Sequence, residues 1–337
     1  MTSHHEKSLK TPKRRSLLRL AGLSLAALTA NKVSAQSGTW PNRPVRWIVS
    51  QPAGAGPDIL ARFLAEQMSR AWGQTVVVEN RPGGQNVIGA QAAAKSAADG
   101  YTFFYGTTAA MVTNSFTFKT LPYDPEKDFA PVALIGRSPF VIAASPSAGY
   151  KTLADAIAAA KAQPEKVAIA TEGPKTFSGM LADSFAAMAG IKLNHVPYTK
   201  ATDAIQDVIG GRVPMICLPD AALSSYIRNN QIQALAVSTA KRVPNLPAVP
   251  CLADTFPGFE YAGWNGVFAP AGTAPEIINR VNRDLNTALG QPEMIQRLAT
   301  LGSIAESGMD SGAFTQFMKS ERARWAKLVQ AIGIKPE

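Results

Sequence analysis

The chain carries one strand, loop and helix unit twice, and this repeat restricts its fold more than any other feature. In the first copy the apolar run "VRWIVS" (45–50) stops at "QPAGAG", and the helix-periodic "PDILARFLAEQMSRAWG" (57–73) begins. Ile59, Leu60, Phe63, Leu64 and Met68 fall on one helical face, and Gly73 closes the run. "TVVVEN" (75–80), an Ala-rich helix over 85–100 and "YTFFYGT" (101–107) complete a βαβαβ series. Such a series predicts a parallel sheet with right-handed crossovers. The second copy opens with "KVAIAT" (166–171), the loop "EGPKTFS" and the helix "GMLADSFAAMAG". It continues through "LNHVPY", "KATDAIQDVIGG", "RVPMICL", a helix to Asn229 and "IQALAVS".

Two such copies predict an α/β protein of two domains, each a mainly parallel sheet flanked by helices. Ligands of open parallel sheets bind at the carboxyl ends of the strands. Domains facing each other across a hinge place the loops 50–57 and 171–178 on one cleft. The apolar stretches 132–144 and 261–272 read as the crossings, and Pro244, Pro247, Pro250 and Pro257 mark the connection before the second. Helical segments at 274–289, 291–301 and 311–332 return to the first domain. The expected division is an export signal at 1–35, a first domain of 36–138 with 261–337, and a second of 139–260.

The formal charge of +10 invites a nucleic-acid partner, but it is unevenly spread. Residues 1–35 hold seven basic residues and one acid, which leaves 27 basic and 23 acidic residues, a net +4, in the remainder. The basic "KTPKRRSLLRL", the apolar "LAGLSLAALTA" and the small "VSA" before Gln36 have the order of a signal cleaved after about Ala35. Arg14-Arg15 admits twin-arginine export as well as the general route. The apolar core is shorter than the roughly 20 residues that span a bilayer. A periplasmic protein is expected, with no nucleic-acid partner. Its one histidine is then His195, which excludes a His-rich metal site and any Ser-His triad built elsewhere. Cys217 and Cys251 would meet an oxidising compartment, where pairing is open to them. The simpler reading is two buried small apolar residues.

A Gly-rich turn before a helix N-terminus suits an anion, carboxylate or phosphate. "GAGPDI" lacks the third glycine of G-x-G-x-x-G, and no Lys-Ser/Thr follows Gly56, so nucleotide binding is disfavoured. No cofactor and no catalytic metal are called for.

Several segments are similar to a known family. They include "WPNRPVRWIV" (40–49), "VVVENRPGG" (76–84), "LPYDPEKDFAPV" (121–132), "HVPY" (195–198), "ALAVSTAKRVPNLPAVP" (234–250) and "W.G.FAPAGT" (264–273). Through these the chain resembles the Bug family (TctC-like), the extracytoplasmic solute-binding receptors of tripartite tricarboxylate transporters. The resemblance implies a type II-like periplasmic-binding-protein clamshell. It implies a monomer that captures a small organic acid in the interdomain cleft and delivers it to membrane transporter subunits, with no reaction catalysed.

The repeat and the resemblance together nominate a binding set. Pro52, Ala53, Gly54, Ala55 and Gly56 form the first loop, and Asp58 caps the helix or holds a ligand group. Pro57 stands where the family commonly has Ser or Thr, which removes two donors. Gly106, Thr107 and Thr108 end a strand at the cleft. Thr171, Gly173, Thr176 and Ser178 match the family's second loop, where Lys175 replaces a glycine. Lys175 is either a solvated lysine or an ammonium facing the cleft. Phe177 and Trp264 offer apolar walls, and Tyr198 follows "HVP" at a strand end. Two alternatives stay open: a module serving a membrane sensor, which needs the same clamshell, and a hydrolase using Ser178 or Thr176, which lacks a G-x-S-x-G elbow.

Overall fold

Residues 1–2 and 40–336 are described by the computed structural model, so the expected export signal lies outside the described residues but for Met1 and Thr2. From Pro41 onward the chain forms one compact unit. β1 (Val45–Val49) pairs in parallel with β2 (Val76–Asn80) and β3 (Thr102–Thr107). α1 (Gly56–Trp72) and α2 (Val87–Ala94) make the connections. α1 ends at Gly73, whose φ of 63° turns the chain out of the helix in the left-handed region. α2 is shorter than the 85–100 expected. Gln85 and Asn86 are both left-handed, so regular helix starts only at Val87.

β3 passes into a π-helical turn (Ala109–Thr113) and the short α3 (Asn114–Thr117). β4 (Phe129–Ser138) follows and, after Pro139 alone, β5 (Phe140–Ala144). These two strands belong to different sheets. Next come α4 (Leu153–Ala162), β6 (Ala168–Thr171), α5 (Phe177–Ala189), β7 (Asn194–Pro197) and α6 (Ala201–Ile209). β8 (Met215–Pro219), α7 (Asp220–Arg228), β9 (Gln233–Val237) and α8 (Leu252–Thr255) complete that half. β10 (Gly263–Pro270) leads to α9 (Pro275–Leu289), α10 (Pro292–Thr300), β11 (Ile304–Ala305) and α11 (Ser311–Ile332).

The strand orders are β11-β4-β10-β3-β1-β2 and β7-β6-β8-β5-β9. The α/β architecture of two sheets flanked by helices is therefore present, but each sheet is mixed rather than mainly parallel. β10 is antiparallel to β3 and β4, and β5 is antiparallel to β8 and β9. The reason lies in the connectivity. β4 leaves the six-stranded sheet and β10 comes back to it, so neighbouring strands at the crossing run opposite ways.

α11 is not confined to the six-stranded half. Trp325 on α11 is buried and packs edge-on against Phe177 at 4.9 Å and Tyr261 at 5.6 Å. Met180 of α5 shares one apolar cluster with Phe314, Met318 and Leu328 of α11. Both cysteine thiols are free and buried. Cys217 belongs to one core cluster of the five-stranded half and Cys251 to the other. Among the described residues no helix is long and apolar enough to cross a membrane.

Candidate functional site

A cavity of about 320 Å³ lies at the seam of the two sheets. On the six-stranded side it is lined by Gly56, Pro57 and Leu60 of α1, by Thr107, Thr108 and Ala109 at the end of β3, and by Ser138. Gly263, Trp264 and Asn265 of β10 continue the wall, with Leu301 and Ser303 beyond α10. The five-stranded side contributes Phe140, Phe177, Pro219, Ala221 and Ala222. The position is the one sheet topology favours: strand ends and helix starts meet there. Among the described residues the lining holds no charged side chain.

Of the residues nominated from sequence, the structure brings Gly56, Thr107, Thr108 and Phe177 to this cavity, together with Pro57 and Trp264. Phe177 stacks on Phe140 with ring centroids 4.6 Å apart and forms an apolar wall. Thr108 Oγ1 accepts from Trp264 N at 2.7 Å and donates to Trp264 O at 3.3 Å, so its hydroxyl is engaged in joining β3 to β10. Trp264 is itself buried, and its indole Nε1 donates to Glu321 Oε2 at 3.0 Å. Gly106 points to the other face of β3, as period-two alternation requires, where an added Cβ would touch the Phe268 ring at 3.0 Å.

The remaining nominated residues are not among those lining the cavity, and most have identifiable structural work. Pro52, Ala53 and Gly54 are exposed, and Ala55 is the N-cap of α1 without a side-chain bond. Asp58 is buried and fastens the first loop. It accepts from Gly54 N at 2.8 Å, Asn80 Nδ2 at 2.7 Å and Arg62 Nε at 3.1 Å. Burial alone would raise its carboxyl, but the hydrogen bonds from Arg62, Asn80 and Gly54 outweigh it and hold the group below the usual carboxylate range.

In the second loop Gly173 N donates to Thr171 Oγ1 at 3.2 Å, and Glu172 N donates to Ser178 Oγ at 2.9 Å. Thr176 caps α5: its Oγ1 accepts from Gly179 N at 3.3 Å and donates to Gly173 O at 2.7 Å. These groups hold the loop against its own helix. Lys175 is half-buried on this loop. Tyr198 donates to Asp207 Oδ2 at 2.6 Å and packs with the cluster that includes Ile205 and Val208. His195, on the outer strand β7, meets Asp183 Oδ1 through Nε2 at 2.8 Å.

Sequence reasoning missed Leu60, Ser138, Phe140, Asn265, Leu301, Ser303 and the start of α7. Asn265 left one signal, a strand-averse polar residue inside an apolar strand between Trp264 and Gly266. Asp220 opens α7 beside Ala221. Its N–H donates to Pro139 O at 2.8 Å, and its Oδ2 accepts from Asn245 Nδ2 at 3.0 Å. Burial pushes its carboxyl up, partly offset by that bond. Asn245 Nδ2 also donates to Ala299 O at 2.7 Å, which joins the α7 start to α10. Gly302, with φ of +67°, lies so close to Ala221 that a Cβ there would overlap its backbone.

The family model described as tripartite tricarboxylate transporter family receptor, TctC, matches residues 60–334. The chain is 35% identical to Protein BugT of Bordetella pertussis over 325 residues, 95% of this chain and 98% of that one. Among solved structures it is similar to R. palustris Rpa4515 with adipate, at 33% identity and TM-score 0.78, covering 88% of this chain and all of that one. It is also similar to MatC from Rhodopseudomonas palustris with bound malate, at 26% identity and TM-score 0.73, covering 86% of this chain and 100% of that one.

Proposed function

The chain belongs to the family of tripartite tricarboxylate transporter receptors, a family of periplasmic solute-binding proteins, and on that premise we propose that it captures a small organic carboxylate. The acid occupies the cavity between the sheets and is handed to membrane subunits of a tripartite tricarboxylate-type transporter. The cavity itself carries this reading. It sits where the end of β3 meets the starts of α1, α5 and α7, and helix starts favour an anion. Adipate and malate in the two R. palustris structures support the ligand class.

The protein is exported by the signal at 1–35 and acts without catalysing a reaction. In support, the Thr176 and Ser178 hydroxyls hold loop backbone, and His195 is bound to Asp183 and is not among the described residues that line the cavity. Opening and closing divide the chain into 36–138 with 261–337 and 139–260. The two crossings lie side by side, since Gly263 pairs with Ser138. Arg137 binds Glu306 at 2.7 Å and Glu260 at 3.3 Å beside them.

Thermal unfolding and calorimetry with mono- and dicarboxylates test this. At least one acid is expected to bind and stabilise the protein, by about 2.7 kcal/mol at a hundredfold excess over Kd, and to be recovered unchanged. Stabilisation by nucleotides and by none of the acids would overturn it.

A further inference from the structure

We infer that the cavity takes an acid with a single carboxylate on a compact apolar body, and that Asn265 orients it; this rests on the carboxylate-binding reading above. Asn265 is 6% exposed and lines the cavity, and among the described residues its side-chain amide bonds to none. Its amide atoms are not sealed in the core but open to the cavity, where a polar guest can complete them. The strand register makes this amide one of a row. Asn265 pairs with Thr107 across β10 and β3, and Gly263, two residues back, pairs with Ser138 of β4. Directly paired residues, and residues two apart, share a sheet face. The row Thr107, Asn265, Ser138 thus presents neutral polar groups to one side of the cavity.

The apolar lining comes from Leu60 and Leu301 on the six-stranded side and from Phe140, Phe177, Ala221 and Ala222 on the five-stranded side. They give a second carboxylate neither a cation nor a donor side chain, and desolvating an unpaired carboxylate is heavily penalised. The acidic group that does border the site, Asp220 beside Ala221, has the wrong sign for one. Within the loops, the N–H groups of Gly54, Glu172 and Gly173 are bound internally and offer a second carboxylate nothing. One carboxylate on the polar row and an apolar body against the aromatic wall is the guest that matches both sides.

Calorimetry at pH 7 on wild type, Asn265→Leu and Asn265→Asp tests this with benzoate, cyclohexanecarboxylate, 4-methylpentanoate, adipate and malate. At least one monocarboxylate is expected to bind about tenfold or more tighter than adipate and malate. Asn265→Leu should weaken that acid about tenfold, the worth of one hydrogen bond to a charged group. Asn265→Asp should weaken it further by charge repulsion. In wild-type protein the Asn265 side-chain amide resonance should shift on adding the acid, a readout that needs no variant to fold. Tighter binding of adipate or malate, an unmoved amide resonance, or wild-type affinity in both folded variants overturns this inference and leaves the carboxylate receptor standing. Binding of no acid at all overturns the receptor reading and this inference with it.

Discussion

The two strand-to-helix loops are equivalent in topology and different in how they are held. The first, 50–57, is fastened by a charge: the Asp58 carboxylate gathers Gly54 N, Asn80 and Arg62. The second, 171–178, is fastened by the neutral hydroxyls of Thr171, Thr176 and Ser178, and it lies directly over the first turn of α5. A Cβ on Gly179 would overlap the Gly173 carbonyl. The difference teaches that a Gly-rich turn at a helix start is not by itself an anion cradle. In both loops donors expected for a ligand are engaged in keeping the loop folded. For the proposed acid, the donors that remain are at strand ends and helix starts.

The comparison is broken most severely at Gly179. Inside an ordinary helix Gly→Ala gains up to about 1 kcal/mol. Here Gly179→Ala is expected to cost about 3 kcal/mol or more in urea unfolding, because backbone must move to admit one methyl. The mode of fastening is separated by pH. Asp58→Ala should cost about 2 kcal/mol at pH 7, whereas Thr176→Ala should cost about 1 kcal/mol, the worth of an N-cap. The folded chain holds the Asp58 proton less readily than the unfolded chain. The Asp58 contribution is therefore full above the unfolded value near 4, and it is lost as pH falls through the lower folded value. Unfolding at pH 7 and pH 3 should show the Asp58→Ala deficit shrinking and the Thr176→Ala deficit unchanged. The smallest effect is at Pro57, which sits in the first turn of α1 and lines the cavity. Pro57→Ser restores an N–H and a hydroxyl. It should change stability by less than about 0.5 kcal/mol and tighten acid binding about threefold in calorimetry.

The elements were legible because their signals are local. Ile59, Leu60, Leu64 and Met68 mark α1 by spacing alone, and "VRWIVS" and "KVAIAT" mark strands by apolar runs. The two-copy arrangement followed from the order of those elements. What stayed illegible depends on pairing between distant segments. Nothing near residue 265 states that β10 will lie antiparallel between β3 and β4, yet that register decides that Asn265 shares a face with Thr107. For the same reason the mixed sheets were read as mainly parallel. Thr176 and Ser178 show a different limit. Their residue types were those expected of a binding loop, but a hydroxyl serves a helix cap and a ligand with the same chemistry.

The bond between Trp264 and Thr108 joins residues 156 apart in sequence. A contact of that span forms only after a long stretch of chain has already been ordered. The polar row beside it does not exist until β10 has joined β3 and β4. Binding competence should therefore arrive as a late event in refolding, after most secondary structure has formed, and a chain halted before β10 would hold helices and parallel strands but no place for a ligand.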